Sequence, residues 1–508
     1  MSENVLVYDI GTTSVKTALF TAKGELVSAI SVPYTTTYQR QGWAEQDANG
    51  FWHATIEGTH RLLENLEGKR YSIDIISVCG HMNGMLSVDD KGDPTYPEII
   101  HCDTRSVLEV DHILSMHTQQ EVYAITGNRI DAFLSLPKLL WLKNNQEDAY
   151  KRTRFVINAK DYVRSRLTGV LGTTDYSDAS LTGALNIRKK KWDEGYLHSL
   201  GIKATLFPSL HLTTEIEGYL THESASLLHL TAGIPVCFGS GDAASATRGA
   251  MVRETGSAYA SLGSSAWIST LSPTMVEDPA MRMQHFYDLD GEKINICGTV
   301  QNAGSALQWA KDSFFPSTSF DELEKELATL PLPNHVLALP YFMGERTPHW
   351  DAYARGTFMG MSQATTPLHM ALSIYEGVAY GLYEVREVYE ELKIPLTSLT
   401  LLGGGVQSSF WLEMIASVFG MPLSVHPHHQ SGTSLGAALC ALVANKSYTS
   451  LEDAIASIPF TPHVIQPDMH KHDMYMKYYS LYKTMYQSLK SQYESVYKLN
   501  KSFEEDHV

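Results

Sequence analysis

The sequence predicts an α/β protein built from two related lobes, and three observations predict it. Residues 5–32 read as strands joined by a glycine-hinged turn, residues 256–270 repeat that pattern about half a chain later, and long stretches elsewhere carry helical periodicity. In the first hairpin, residues 6–9 are largely apolar, Gly11-Thr12-Thr13 is a turn, residues 16–20 are strand-prone, and Lys23-Gly24 marks a second turn. In the second, a strand runs into Gly263-Ser264-Ser265 and leaves through Ala266-Trp267-Ile268. Hairpins with Gly and Ser are common, so the repeat counts only together with the motifs below.

The helices come next. Pro137-Lys138-Leu139-Leu140-Trp141-Leu142 starts one, and residues 410–419 carry helically spaced apolar side chains after a glycine run. In the tail, Tyr475, Tyr479, Tyr482, Tyr486, Leu489, Tyr493 and Val496 share one face, a stripe expected to pack onto the body. The closing SFEEDHV reads as a frayed acidic end. No low-complexity linker is visible. A boundary is expected near residues 245–257, dividing the chain into 1–246 and 247–508.

Composition narrows the class. Of 508 residues, 44% are hydrophobic and 19% charged, which is globular rather than disordered. The net charge of −17 disfavours a nucleic-acid or anionic-membrane surface. It leaves room for a phosphate ligand, because backbone N–H groups and Mg²⁺ supply positive field locally. The five cysteines are far apart and form no CxxC, which fits a reducing cytoplasm and offers no zinc spacing. MSENVLVYDI lacks a basic run followed by a long apolar one, so no export leader is expected, and no apolar run is long enough to span a bilayer.

Neither GxxxxGK[ST] nor a strand-to-helix GxGxxG is present, so a nucleotide would be held by another device. The first candidate is Asp9-Ile10-Gly11-Thr12-Thr13-Ser14, with Lys16 beyond it. A glycine turn lets backbone N–H groups converge on an anion; Thr12, Thr13 and Ser14 add hydroxyl donors and Lys16 a point charge. Asp9 would hold Mg²⁺ directly or through water. Gly263-Ser264-Ser265 offers the same chemistry, and Gly403-Gly404-Gly405, between a strand and a helix, offers close backbone approach to a nucleotide. Any one of these also reads as an ordinary turn; the three in order are harder to dismiss.

Asp242 is the sharpest residue. PVCFGSGDAA reads as a buried strand, then glycines, then a helix start. A carboxylate there accepts helix N-terminal N–H bonds and is expected to stay ionised, as a base for a hydroxyl group requires. Taken alone, it also reads as a plain N-cap.

These residues together resemble the FGGY carbohydrate kinases, the family of xylulokinase, gluconate kinase, ribulokinase and glycerol kinase. The resemblance runs from about Val5 to the tyrosine-rich tail, through DIGTTS, GSGDAA, SLGSS, the Gly344-Glu345-Arg346-Thr347-Pro348 loop, GTFMGMSQATTPLHMALSIYE and LLGGG. It implies two ribonuclease-H-like (actin-like ATPase) domains flanking a catalytic cleft, an N-terminal sugar-binding domain and a C-terminal nucleotide-binding one, with ATP and Mg²⁺ as cofactors. It implies Asp242 as the catalytic base and Asp9 on the Mg²⁺ side. Thr12, Thr13, Ser14, Lys16 and Ser264 would face the transferred phosphate, and Gly304, Gln308, Gly404 and Gly405 the nucleotide. A small sugar and ATP are the expected partners, with a homodimer as the one macromolecular association left open.

The xylulokinase/gluconate kinase-like subgroup fits best, with departures at the acceptor. Gly80-His81-Met82-Asn83-Gly84 resembles GQMHG with Asn83 in place of His, and His101-Cys102-Asp103-Thr104-Arg105 resembles WNDxR with His101 in place of Trp. Ala243 follows the base where xylulokinases and glycerol kinases carry an amide. Met82, Asn83, Asp103, Phe133 and Trp267 are the implied substrate contacts. A ketopentose such as D-xylulose is the first expectation and gluconate or another ketose or polyol the next. Arg105 would either bind a carboxylate through its fork or pair with Asp103. Glycerol is disfavoured, because Met82 and Asn83 stand where that pattern has Arg and Glu. A metal-dependent hydrolase would need better ligand spacing than His426-Pro427-His428-His429 or His470-Lys471-His472-Asp473 provides. A non-catalytic sensor has no need of Asp242 and Asp9, and a chaperone-type or cytoskeletal ATPase has no need of the sugar-side segments.

Overall fold

Seven consecutive residues, Asn4–Ile10, are buried, as the central strand of a covered sheet demands. The computed structural model, which describes residues 3–67 and 71–505, places them in the middle of the first sheet. That sheet runs Leu26–Pro33, Ser14–Thr21, Asn4–Ile10, Ile75–Gly80, Pro235–Cys237, Ile216–Tyr219. The first three strands are antiparallel, the next two run parallel to Asn4–Ile10, and the last reverses. The second sheet repeats this sequence of directions through Ile294–Val300, Ala266–Ser272, Gly256–Leu262, Leu396–Leu402, Leu423–Val425 and His463–Ile465. Gln284–Tyr287 adds one edge strand to it. The two hairpins read from the sequence are thus the corresponding hairpins of two sheets of one topology.

The lobes meet at a helix crossing. Asp242–Gly249 packs against Gly432–Ala444 with backbone on backbone. A Cβ at Gly249 would fall 1.7 Å from the Gly432 carbonyl oxygen, and one at Gly436 would fall 1.9 Å from that of Ser245. Only glycine permits that approach. Leu435, Ala438, Leu439 and Leu442 then complete the first lobe's core, beside Val5, Val7, Ala18 and Ile75.

The tail is one helix, Met469–Glu505, on the second lobe. Tyr475, Tyr479, Tyr482, Tyr486 and Tyr493 are buried and Leu489 partly so, as the stripe predicts. Val496 departs from it and is 54% exposed; the next residue, Tyr497, makes the contact with the body instead, its ring centroid 4.9 Å from that of Tyr353. Tyr482 bonds the Tyr341 hydroxyl at 2.8 Å, and Tyr479 and Tyr486 donate to Glu387 and Asp351, so these buried phenols keep their polar ends satisfied. The helix continues to Glu505 where the sequence reads as frayed; residues 506–508 lie outside the described residues. Among those described, no helix is long and apolar enough to cross a membrane.

Candidate active site

Three cavities with shared wall residues line the site, of about 290, 440 and 600 Å³, the first two between the lobes and the third within the second lobe. Asp242 and Trp267 line both the first and the second, and Gly404 lines both the second and the third. Met82, Asn83, Phe133 and Thr12 are in the first, Lys16 in the second, and Ser264, Gly304, Gln308 and Gly405 in the third. Thr13 and Ser14 are not among these wall residues. Thr13 is exposed at the turn and Ser14 opens the next strand, opposite Pro33.

Asp9 and Lys16 are register partners on adjacent strands. Asp9 accepts a bond from the Ser434 hydroxyl at 3.0 Å, so a residue of the crossing helix touches it. Burial raises its carboxyl above the ordinary range, against the charge of Lys16. The Lys16 ammonium donates to the Gln430 carbonyl at 2.5 Å. Asp242 is pushed up to about 6, first by burial and then by the charge of Asp9; His81 and the helix N–H groups pull the other way. The sequence expects those N–H groups to dominate. Desolvation of a buried carboxylate outweighs them.

The peptide carrying Asp242 is anchored from behind. Gly241 N–H donates to the Ser177 hydroxyl at 3.0 Å, and that hydroxyl donates to Asp175. Asp175, Asp161 and Asp178 converge as cation ligands would. The cation among them is the Lys160 ammonium, at 2.7, 2.5 and 3.0 Å. Lys160→Met is expected to destabilise the fold by about 3–5 kcal/mol, because it strands buried carboxylates. Denaturant unfolding checks this; a loss below about 1 kcal/mol, the range of a surface pair, would contradict it.

In the first cavity His81 meets the buried Glu98 at 3.2 Å, and that charge holds the imidazole above its ordinary value despite burial. Asn83 sits at φ 67°, with its backbone carbonyl accepting from Lys138 at 2.9 Å and its Oδ1 unpaired. His101 is pushed down to about 3 by burial, so it is neutral, and its Nδ1 is unpaired.

Asp103 corrects the sequence reading. It is fully buried, accepts from Ala44 N at 2.5 Å and Arg105 Nε at 3.0 Å, and is absent from the cavity wall. Arg105 is committed as well. It pairs with Asp103 at 2.7 Å and Glu45 at 2.6 Å, and its guanidinium lies 3.8 Å from the Trp43 ring centroid and 4.8 Å from that of Trp141. Its fork has no room for a ligand carboxylate.

His81, His101, Gln284, Thr299 and Arg346 line the cavity beyond the contacts that the sequence predicts. The two histidines adjoin predicted contacts. Gln284 with Phe286, and Cys297 with Thr299, are alternate residues of two paired strands. Period-2 exposure to one side is the signal that would have found them.

The third cavity is built from backbone. Gly304 N–H donates to the Gly263 carbonyl at 2.9 Å, and a Cβ on Gly304 would fall 2.6 Å from that oxygen. Gly403 sits at φ 92°, turning the strand Leu396–Leu402 into the short helix Gly404–Gln407. A Cβ at Gly404 meets nothing within 4 Å, whereas one at Gly405 falls 2.7 Å from the Trp411 ring. Gln308 is tied to Asp312 at 2.8 Å.

Residues 4–249 match the N-terminal domain, and residues 258–445 the C-terminal domain, of the FGGY family of carbohydrate kinases. The xylulose kinase of Staphylococcus epidermidis is 30% identical over 493 residues, 96% of this chain and 98% of that protein. The gluconokinase of Bacillus subtilis is 29% identical over 472 residues, covering 90% and 91% of the two chains. Among solved structures, the ligand-bound xylulose kinase of Lactobacillus acidophilus superposes with a TM-score of 0.91 at 25% identity, over 97% of this chain and all of that one. These neighbours identify the two repeated sheets as the actin-like ATPase fold. With both halves matched by the two domains of one family, the chain belongs to the FGGY carbohydrate kinases, enzymes that phosphorylate a sugar with ATP.

Proposed function

We propose that this kinase transfers the γ-phosphoryl group of ATP to the primary hydroxyl of a ketopentose, D-xylulose first, with Asp242 as general base. The observation that carries this is the position of Asp242 on the shared wall of the first two cavities. An acceptor hydroxyl in the first would meet a phosphoryl group in the second there. Phosphoryl transfer asks for positioning and charge stabilisation rather than covalent help, so each remaining role is a placement. Thr12, Thr13, Ser14, Lys16 and Ser264 face the phosphates. Gly304, Gln308, Gly404 and Gly405 lie along the nucleotide. Lys16 would have to exchange the Gln430 carbonyl for a phosphate oxygen as the lobes close.

Mg²⁺ would sit on the Asp9 side. Asp9 is buried and Asp242 half-buried, and the charge of Asp9 raises the cost of ionising Asp242; a divalent cation would relieve that repulsion while neutralising phosphate charge. Asp9 would hold it, directly or through water. The residues themselves do the rest: Asp242 takes the hydroxyl proton, Met82, Asn83, Phe133 and Trp267 orient the sugar, and closure excludes water. Five free cysteines and the use of ATP support action in the cytoplasm.

The choice of D-xylulose rests on the xylulose kinases that match nearly end to end. Asn83 both donates and accepts, so it can replace a histidine without leaving a sugar hydroxyl unpaired. An aldonate is the second reading, supported by the gluconokinase relative. Turnover of D-xylulose, L-ribulose and D-gluconate at saturating ATP, followed through ADP, separates the two. D-xylulose is expected to lead. Phosphorylation of gluconate alone would remove the ketopentose reading.

A further inference from the structure

Arg346 is a half-buried cation whose side chain makes no ion pair or hydrogen bond among the described residues. It comes from the second lobe, on the loop carrying the cis Thr347-Pro348 bond, and enters the wall of the first cavity. Its guanidinium lies 4.3 Å from the ring centroid of Phe133, a first-lobe residue. None of the ion pairs among the described residues involves it, and its Nε is shut off from solvent without a partner. The neighbouring carboxyl, Glu345, accepts instead from Gln301 N–H and the Arg346 backbone N–H, each at 2.7 Å. Burial pushes Glu345 up to about 8, so it brings no negative charge at neutral pH. Lys138, on the same side, donates only to the carbonyls of Asn83 and Phe133, at 2.9 and 2.6 Å.

A guanidinium N–H held out of water without a partner is costly, and the group has donors alone to offer. The rest of the cavity supplies the converse. Asn83 Oδ1 is an unpaired acceptor, suited to a hydroxyl proton. The two ends also differ electrically. Arg346 lines the first cavity alone, whereas Asp242 lines the first and the second; the nearest ionised carboxylate acting on Arg346 is Asp131, while Asp242 feels Asp9 and His81. Asp242 thus marks the phosphate end of the cavity and Arg346 a separate end.

We propose that Arg346 reads the acceptor-only oxygen at the end of the substrate remote from the phosphorylated hydroxyl: in a ketopentose, the carbonyl of its open-chain form. This deepens the ketopentose reading and rests on it. A ketone oxygen accepts two hydrogen bonds and carries no proton to place, which matches a fork of N–H donors. A polyol with the carbonyl reduced presents a hydroxyl there, whose proton finds no acceptor on Arg346. Discrimination of this kind is strong, because the mismatched ligand leaves buried polar groups unpaired. Because Arg346 and Phe133 come from different lobes, the contact also ties acceptor binding to closure.

The test uses the full chain with Arg346→Gln and Arg346→Lys. Calorimetry gives Kd for D-xylulose and for its reduced counterpart xylitol, and KM for ATP is measured beside it. Arg346→Gln is expected to weaken D-xylulose binding at least about tenfold, shrink the xylulose-to-xylitol Kd ratio by a similar factor, and leave KM for ATP within about twofold. Arg346→Lys keeps the charge and loses the fork, so it should retain part of the ratio; should Arg346→Gln not fold, the ratio is read on Arg346→Lys, with a loss of at least about threefold expected. An unchanged ratio in the folded variants overturns the proposal. If the wild type instead takes gluconate alone, the ketopentose reading fails, and the gluconate-to-xylitol ratio is measured. Its collapse in the variants would keep Arg346 as the reader of an acceptor-only oxygen, there a carboxylate, and its persistence would remove Arg346 from acceptor recognition.

Discussion

Asp242→Asn is expected to lower turnover by at least about two orders of magnitude while ATP binding is kept. The substitution is near-isosteric and removes the proton acceptor alone. Wild-type kcat/KM should fall on the acid side as pH drops through about 6, where the Asp242 carboxyl takes up its proton. A pH–rate profile checks this, and near-normal turnover by the variant would take Asp242 out of the role. Stability should move the other way. The folded value is raised above the unfolded 3.8, so the native state holds this proton more tightly. The resulting stabilisation is full below about 3.8 and is lost as pH rises through about 6. At pH 7 the ionised carboxylate is therefore a burden that Asp242→Asn lifts. A variant with lost turnover and a Tm no lower than wild type at pH 7, the difference closing toward pH 4, would separate catalysis from misfolding.

Gly404→Val should raise KM for ATP at least about tenfold, roughly 1.4 kcal/mol of binding, and leave Tm unchanged. Its Cβ would meet no atom within 4 Å, so the side chain projects into the space of the second and third cavities that the nucleotide would take. Gly405→Val should behave differently, losing about 1–3 kcal/mol of stability by overpacking, since its Cβ falls 2.7 Å from the Trp411 ring and 2.9 Å from Leu262 Cβ. Thermal melts beside ATP titrations distinguish them. A stable Gly404→Val with unchanged KM would place the nucleotide elsewhere.

Much of the site is legible in the sequence because its devices are made of backbone. Gly239 and Gly403 sit at φ 67° and 92°, Gly241 lies against Met82, and the DIGTTS and SLGSS turns are short hairpins, so glycine-rich runs mark these places in the sequence. What the sequence hides is pairing at a distance. Asp103 and Arg105 look like a ligand-binding pair until Trp43, Glu45 and Trp141 arrive from other elements and fill the fork. The protonation of Asp242 depends on Asp9, a neighbour only through the sheet. Arg346 stands out by what it lacks, and a missing partner leaves no trace in a string of residues. The tyrosine stripe is readable because helical spacing is itself a contact map, until Val496, where the contact passes to Tyr497.

The glycine-lined helix crossing bears on how the protein is made. Leu435, Ala438, Leu439 and Leu442 lie far along the chain, yet they fill the core formed around Val5, Val7 and Ala18. When a ribosome has released residues 1–249, the first sheet has all its strands and no cover for that face. The amino-terminal lobe must then wait, with apolar surface open, until almost the whole polypeptide has emerged. One sheet topology occurs twice in this chain, but the ribosome cannot finish the first before it has nearly finished the second.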